Sequence, residues 1–158
     1  MRYAVAGMVL ALATVALVWK VEAGDRKSDS KVKANAKASK ANEKGEQTVT
    51  ITLDIEKGWH LYANPVNHNK EFLDAAKTKV AITAKEKLQS VSVKYPVGKT
   101  HVDKDTKDKY DIYEGVVKIE ATVKRAAGDT SPLEVTIAVQ ACDSSVCLEP
   151  GKVKLTVP

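Results

Sequence analysis

The chain has 158 residues, a formal net charge of +5, 44% hydrophobic residues and only two cysteines, Cys142 and Cys147. This length favours one domain of ordinary size over a multi-domain organisation. The charge does not indicate a nucleic-acid-binding protein. Residues 24–46 carry seven Lys and Arg against four Asp and Glu, whereas residues 47–158 carry sixteen against fifteen. A nucleic-acid surface needs a basic patch on the folded part itself.

Residues 1–23 have the pattern of a secretory signal peptide. Arg2 provides a positive start, Ala4–Trp19 is an apolar run, and small residues precede Gly24, which suits cleavage there. A membrane-spanning helix needs about 20 apolar residues, and this run is shorter. An uncleaved anchor is the alternative. In both cases the remainder is expected to be exported, periplasmic or secreted, where disulfides persist.

Residues 24–46 are rich in Lys, Ala and Ser. They contain no aromatic residue and one large aliphatic residue, Val32. Such a segment buries too little apolar surface to offset its conformational entropy. The sequence therefore predicts a disordered spacer over 24–46 and a folded domain over 47–158.

The predicted domain is all-β. Apolar and polar residues alternate in short runs, which is typical of half-buried strands. Thr48–Ile55 is the clearest run, and further runs are GWHLYA, TKVAIT, LQSVSVKY, GVVKIEATV, LEVTIAVQA and GKVKLTV. About seven short strands in this length favour an immunoglobulin-like antiparallel sandwich. One stretch, NHNKEFLDAAK, predicts one or two helical turns after an Asn cap.

The two cysteines are separated by four residues, in ACDSSVC. Leu133 to Ala141 alternate with Ala141 on the core face, so Cys142 is expected to point away from the main core. The intervening DSSV favours a turn. If that turn joins antiparallel strands, the cysteines face each other at about 4.5–5.5 Å between Cα atoms, within disulfide range. We expect the pair near the surface at a strand end.

The same alternation in GWHLYANP predicts where the side chains of His60 and Tyr62 point. Trp59 and Leu61 suit a core face, which leaves His60 and Tyr62 together on the opposite face. An imidazole and a phenol beside a thiol pair could shield it and manage protons. The alternative is that both are ordinary residues of an outer strand face.

Three uses of the cysteine pair can be compared. A structural staple closing so short a loop contributes about 2 kcal/mol, far less than a bridge across the domain. A metal site needs further ligands, and His60, His68 and His101 are scattered without the spacing of a structural zinc site. A redox pair suits a short ring, because the resolving thiol stays close after a mixed disulfide forms.

Taken together, GWHLYANP, YEG at Tyr113–Gly115 and QACDSSVCLEP resemble the amino-terminal domain of the thiol:disulfide interchange protein DsbD. The resemblance covers roughly 47–158, and its most specific part is the cysteine segment. It implies an immunoglobulin-like periplasmic domain with Cys142–Cys147 as the redox disulfide. Cys147 would join the partner in a mixed disulfide and Cys142 would resolve it. His60 and Tyr62 fall where the family places side chains around the pair.

The resemblance also implies partners. A thioredoxin-like or membrane-embedded thiol reductase would donate electrons, and exported thiol proteins would accept them. The chain stops eleven residues after Cys147, so the reductant is expected to be a separate protein. We expect a monomer without a cofactor or resident metal.

One departure concerns the loop that covers the disulfide in the family and carries an aromatic residue there. The corresponding stretch, HVDKDTKDKYDIYEG, is highly charged, and Tyr110 is the only candidate aromatic before Tyr113. The main prediction is an exported thiol–disulfide exchange module. The alternative is an immunoglobulin-like binding domain in which Cys142–Cys147 is only a structural clip.

Overall fold

The computed structural model of the protein describes residues 27–68 and 70–158. The predicted signal peptide lies outside the described residues. Eleven strands run through the described part: β1 Val32–Ala38, β2 Glu46–Ile55, β3 His60–Tyr62, β4 Lys79–Thr83, β5 Ser90–Lys94, β6 Lys99–Val102, β7 Lys109–Tyr113, β8 Val116–Lys124, β9 Leu133–Val139, β10 Ala141–Cys142 and β11 Gly151–Val157. A 3₁₀ turn at Ser28–Lys31 and a helix α1 at Glu71–Ala76 complete these elements. No helix in this part is long and apolar enough to cross a membrane.

The strands form three antiparallel sheets, in the orders β1-β2-β8-β5, β10-β3-β7-β6 and β11-β9-β4. The register of β2 against β8 runs from Glu46–Lys124 to Asp54–Val116. Consecutive strands β6 and β7 form a hairpin, whereas most other neighbours are distant in sequence. The prediction of an all-β, immunoglobulin-like antiparallel sandwich is confirmed.

The alternation in β2 and β9 produces the main core. Val49, Ile51 and Leu53 are fully buried, and Leu133 and Ile137 face them from the third sheet with no exposed surface. Burying an aliphatic side chain of this size stabilises the fold by about 1.5–3 kcal/mol. The period of two therefore determines which faces of the sheets meet.

A second, smaller cluster lies under the small sheet β10-β3-β7-β6. It comprises Tyr62, Val66, Leu73, Tyr110, Ile112 and Cys142. Leu73 comes from α1 and is 2% exposed, so the helix covers the face of the small sheet that the alternation rule assigns to the outside. This cover places Cys142 in an apolar environment that the linear pattern does not reveal.

The prediction of a disordered spacer over 24–46 was wrong from Lys27 onward. β1 pairs with β2 over seven residues, from Val32–Ile55 to Ala38–Val49. Val32 is buried, and three alanines of β1 pack against the main core. Small inward side chains are enough here because β2 supplies the backbone partners and most of the apolar surface. Residues 24–26 lie outside the described residues.

The start of the same segment is fastened to the other end of the chain. Ser28 is fully buried, and its hydroxyl donates to the carbonyl of Glu149 at 2.7 Å. The same oxygen accepts the N–H of Ala141 at 2.8 Å. Gly151 leaves room for this contact, since a Cβ there would lie 2.5 Å from the backbone nitrogen of Asp29.

The predicted helix is present as α1, although its cap differs from the predicted one. The N-cap residue is Lys70, with no side-chain capping hydrogen bond, rather than an asparagine. The charged stretch 101–115, proposed as the covering loop, contains most of the β6–β7 hairpin, and its role as a cover stays a prediction. Asp103 Oδ1 stabilises the turn of that hairpin by accepting the N–H groups of Asp105 and Thr106.

Candidate functional site

The structure joins Cys142 and Cys147 in a disulfide at the end of the small sheet. Their Cα atoms are 4.0 Å apart, and the two residues form an antiparallel bridge. Asp143 shapes the turn between them, because its carboxylate accepts the N–H groups of Ser145 and Val146 at 2.7 and 2.8 Å. The hairpin expected from the sequence is therefore present.

The two sulfur-bearing residues differ in exposure. Cys142 is 2% exposed and belongs to the small cluster, whereas Cys147 is exposed. Cys142 does point away from the main core, as Ala141 in that core requires. The expectation that the pair lies near the surface holds for Cys147 and was wrong for Cys142, since Leu73 of α1 and Tyr110 of β7 pack with Cys142 in the small cluster.

Tyr62 lies against both sulfurs. Its hydroxyl oxygen is 3.7 Å from Sγ of Cys142 and 3.9 Å from Sγ of Cys147. Disulfide sulfurs carry no hydrogen, so the phenol is the donor and its single hydrogen is directed to one sulfur or shared between the two. Burial raises the pKa of Tyr62, and the Asp103 carboxylate raises it further. The hydroxyl therefore keeps its proton at neutral pH.

His60 sits directly opposite Cys142 in the β3–β10 ladder. Both His60 and Tyr62 are 8% exposed, so neither is an ordinary residue of an open strand face. Burial, followed by the neighbouring His101, lowers the pKa of His60. The Nε2 atom of His60 is buried and has no hydrogen-bond partner among the described residues.

Aromatic and imidazole rings form a continuous wall beside the disulfide. The rings of His60 and His101 stack at 5.4 Å between centroids, and His101 lies 5.2 Å from Tyr110. Tyr110 in turn lies 5.5 Å from Tyr62. Tyr110 is on strand β7 rather than on a loop, and burial raises its pKa to about 12. The assignment of Tyr110 as a covering aromatic stays a prediction.

This wall of rings and the cysteine hairpin form the two sides of a groove with a volume of about 660 Å³. The turn of the β6–β7 hairpin contributes Asp103, Lys104 and Asp105 to its rim, while Glu114 and Asp143 come from other loops. Backbone N–H groups hold the pKa of Asp103 and of Asp143 below the usual range. In residues 27–68 and 70–158, no three His, Cys, Asp or Glu side chains are grouped to hold a metal ion.

Sequence reasoning brought together Cys142, Cys147, His60 and Tyr62, and the structure places all four at the groove. It missed His101, which was considered only as a scattered metal ligand. The turn at Asp103–Asp105 belongs to the charged stretch that the sequence analysis placed over the disulfide, and it lies at the rim of the groove. No local sequence signal identifies His101, because it is the pairing of β6 with β7 that sets His101 directly opposite Tyr110.

One comparison with a solved structure supports the fold. A structural match is the N-terminal periplasmic domain of ScsB from Proteus mirabilis, with a TM-score of 0.53, 15% identity and 78% of this chain covered. This chain spans 44% of that protein's length. The DsbD N-terminal domain of Neisseria meningitidis in the reduced form has a TM-score of 0.48 at 14% identity, covering 81% of this chain and 85% of that one.

A third solved structure is the complex between the DsbD N-terminal and the PilB N-terminal domains, also from Neisseria meningitidis. Its TM-score is 0.48 at 15% identity, covering 69% of this chain and 73% of that one. A comparison of the sequence with curated proteins gave no match.

The family comparison covers nearly the whole described part of the chain. The family described as "Thiol:disulfide interchange protein DsbD, N-terminal" matches residues 27–157, from the residue before the 3₁₀ turn to the last residue of β11. This range includes β1, the cysteine hairpin and every residue of the groove. The chain therefore belongs to the DsbD N-terminal domain family.

Proposed function

We propose that the protein is an exported thiol–disulfide exchange module, which passes reducing equivalents between protein partners through Cys142 and Cys147. The observation that carries this proposal is the unequal exposure of one disulfide. Cys147 is open to a partner, while Cys142 is buried beside Tyr62 and opposite His60. Family membership supports the same chemistry.

Reduction begins when a partner thiolate attacks Sγ of Cys147. The new partner–Cys147 bond forms as the Cys142–Cys147 bond breaks, and Cys142 leaves as a thiolate. Tyr62 donates its hydrogen bond to that sulfur and stabilises the developing charge. A second thiolate of the partner then attacks the partner's own sulfur in the mixed disulfide. Cys147 is released, the domain gains two electrons, and the partner becomes the disulfide.

In the opposite direction, the reduced domain attacks an oxidised acceptor through Cys147, and Cys142 resolves the mixed disulfide. This direction lacks a strong activator of the thiolate. Both cysteines lie beyond the only α-helix of the described residues, and Asp143 adds a negative charge next to Cys142. We expect slow attack on small disulfides and faster exchange with a protein whose own cysteine is activated.

The partners proposed for this chain are a thioredoxin-like or membrane-embedded thiol reductase as donor and exported thiol proteins as acceptors. A location outside the cytoplasm suits a disulfide in the resting state. His60, Tyr62 and Tyr110 support the pair by excluding water from the buried sulfur and by supplying the phenol donor.

The assignment of roles is tested with single-cysteine variants. A thioredoxin-like protein without its resolving cysteine is presented as a mixed disulfide with a good leaving thiol. Cys142→Ser should form the covalent complex through Cys147, and Cys147→Ser should lose most of that reaction because Cys142 is buried. Equal or faster complex formation by Cys147→Ser would reverse the roles. Failure of both variants would count against redox exchange.

A redox titration separates this function from that of a binding domain with a structural clip. The domain is equilibrated with glutathione buffers and then with dithiothreitol buffers, and the thiols are trapped and counted. A redox-active pair should titrate within the glutathione range, whereas a structural disulfide lies below about −300 mV. A potential below that value would favour the structural clip.

A further inference from the structure

The rim of the groove carries a charge opposite to that of the chain. Four carboxylates line it, from Asp103, Asp105, Glu114 and Asp143, against one ammonium group, that of Lys104. The chain as a whole carries +5. Glu114 also meets the exposed Lys99 at 3.0 Å, a solvent-screened pair that offsets little of this field.

Two of these carboxylates are fixed in place and ionised. Asp103 and Asp143 each accept two backbone N–H groups, which orient their side chains and lower the pKa of each carboxyl. Asp143 lies in the turn between the two cysteines. Any thiol that approaches Cys147 therefore meets negative charge that stays present throughout the neutral range.

An independent feature of the groove also suits a positively charged donor. The Nε2 atom of His60 has no partner among the described residues, and His60 is 92% buried while lining the groove. Burial lowers the pKa of His60 and so favours the neutral imidazole, which carries one nitrogen that can accept a hydrogen bond. The carboxylates of Glu114 and Asp143 act electrostatically on His60, and an acceptor nitrogen in that negative field matches an ammonium or guanidinium group.

We infer that the groove selects thiol partners that carry positive charge beside the reactive sulfur, and that it disfavours anionic thiols. The inference rests on the proposed exchange function and adds the partner's chemistry to it. For a protein partner it specifies Lys or Arg near the attacking cysteine. Charge complementarity of this kind acts mainly on the rate of productive encounter and weakens with salt.

Three small thiols test this selectivity directly. Cysteamine, 2-mercaptoethanol and 3-mercaptopropionate have thiolate forms with net charges of 0, −1 and −2. Each second-order rate of reduction of the oxidised domain is expressed per thiolate and divided by that thiol's rate on bis(2-hydroxyethyl) disulfide. At low ionic strength we expect cysteamine to exceed 3-mercaptopropionate by about tenfold, falling to about twofold in 0.5 M salt.

A matched pair of variants locates the effect. The double variant Asp105→Lys, Glu114→Lys reverses two charges of the groove rim. It leaves Asp103 and Asp143, whose carboxylates stabilise the two turns, unchanged. Glu43→Lys with Glu86→Lys makes the same change in net charge on exposed residues in the loops at the other end of β2 and β8. The first variant should bring the rate ratio close to one, and the second should leave it within twofold of the wild-type ratio.

The same selectivity can be tested with protein reductants in place of small thiols. A thioredoxin-like protein with two lysines introduced beside its active-site cysteine should reduce the domain faster than the same protein with two glutamates, by about tenfold at low salt. Equal normalised rates for all thiols, or a ratio that both double variants alter equally, would overturn the inference while leaving exchange itself intact. No reduction by any thiol would instead contradict the proposed function.

Discussion

Replacing Ser28 with alanine should destabilise the whole domain, although Ser28 lies far from Cys142 in sequence. The hydroxyl of Ser28 makes two hydrogen bonds, donating to the carbonyl of Glu149 and accepting the N–H of Ala141. Ser28→Ala removes both and leaves the buried N–H of Ala141 without that acceptor. An unsatisfied buried donor costs about 1–3 kcal/mol, so we expect a loss of about 2 kcal/mol.

Urea denaturation of the oxidised domain measures this loss. With a denaturant slope of about 2 kcal/mol per molar, the midpoint should fall by about 1 M. Ser92→Ala, on the exposed strand β5, is the matched control and should change stability by less than about 0.5 kcal/mol. If Ser28→Ala and Ser92→Ala have the same urea midpoint, the hydrogen bonds of Ser28 contribute nothing to the stability of the domain.

Four further predictions concern individual contacts. Gly151→Ala should cost about 1–3 kcal/mol in urea unfolding, because the new Cβ would lie 2.5 Å from a backbone nitrogen; a stability equal to wild type would contradict this close approach. The double change Cys142→Ser, Cys147→Ser should cost at most about 2 kcal/mol, the closure term for so short a ring, and a double variant unable to fold would support the structural clip. Tyr62→Phe should slow mixed-disulfide formation about tenfold, the loss of one hydrogen bond to a charged sulfur, and an unchanged rate would exclude the phenol from the reaction. The pKa of His60 is lowered in the folded state, so the stabilisation from the neutral imidazole is complete above about pH 6.5 and is lost as the pH falls through the folded-state pKa. His60→Gln should therefore lose less stability than the wild type between pH 7 and pH 5, and parallel curves of stability against pH would refute this.

The strands with large alternating side chains could be predicted from the sequence, and those with small or charged ones could not. β2 and β9 alternate aliphatic with polar residues, and both lie where the pattern placed them. β1 was missed because its inward residues are mostly alanine, which gives too weak a periodic signal. β1 forms because it pairs with β2, and this tertiary interaction outweighs the low β-strand propensity of alanine and lysine.

The cysteine hairpin could also be predicted, because turn residues and strand parity are local features. The burial of Cys142 could not, since it depends on Leu73 of α1 packing over a face that parity marks as outer. His101 shows the same limit, because only the register of β6 against β7 brings it to Tyr110. Local pattern gave the chemistry of the pair, and non-local packing gave its environment.

The contact between the start of the described chain and the cysteine segment has a practical consequence for attaching this domain to anything else. Lys27 forms a parallel bridge with Glu149, two residues beyond Cys147, whereas Val157 pairs with Leu133 at the far end of β9. Seven residues of β11 at about 3.4 Å each separate these exits by about 20 Å. A linker joined ahead of Lys27 keeps its anchoring point beside the groove and crowds an incoming partner. A linker joined after Val157 presents the groove outward, so an immobilised redox sensor built on this domain should be tethered by that end.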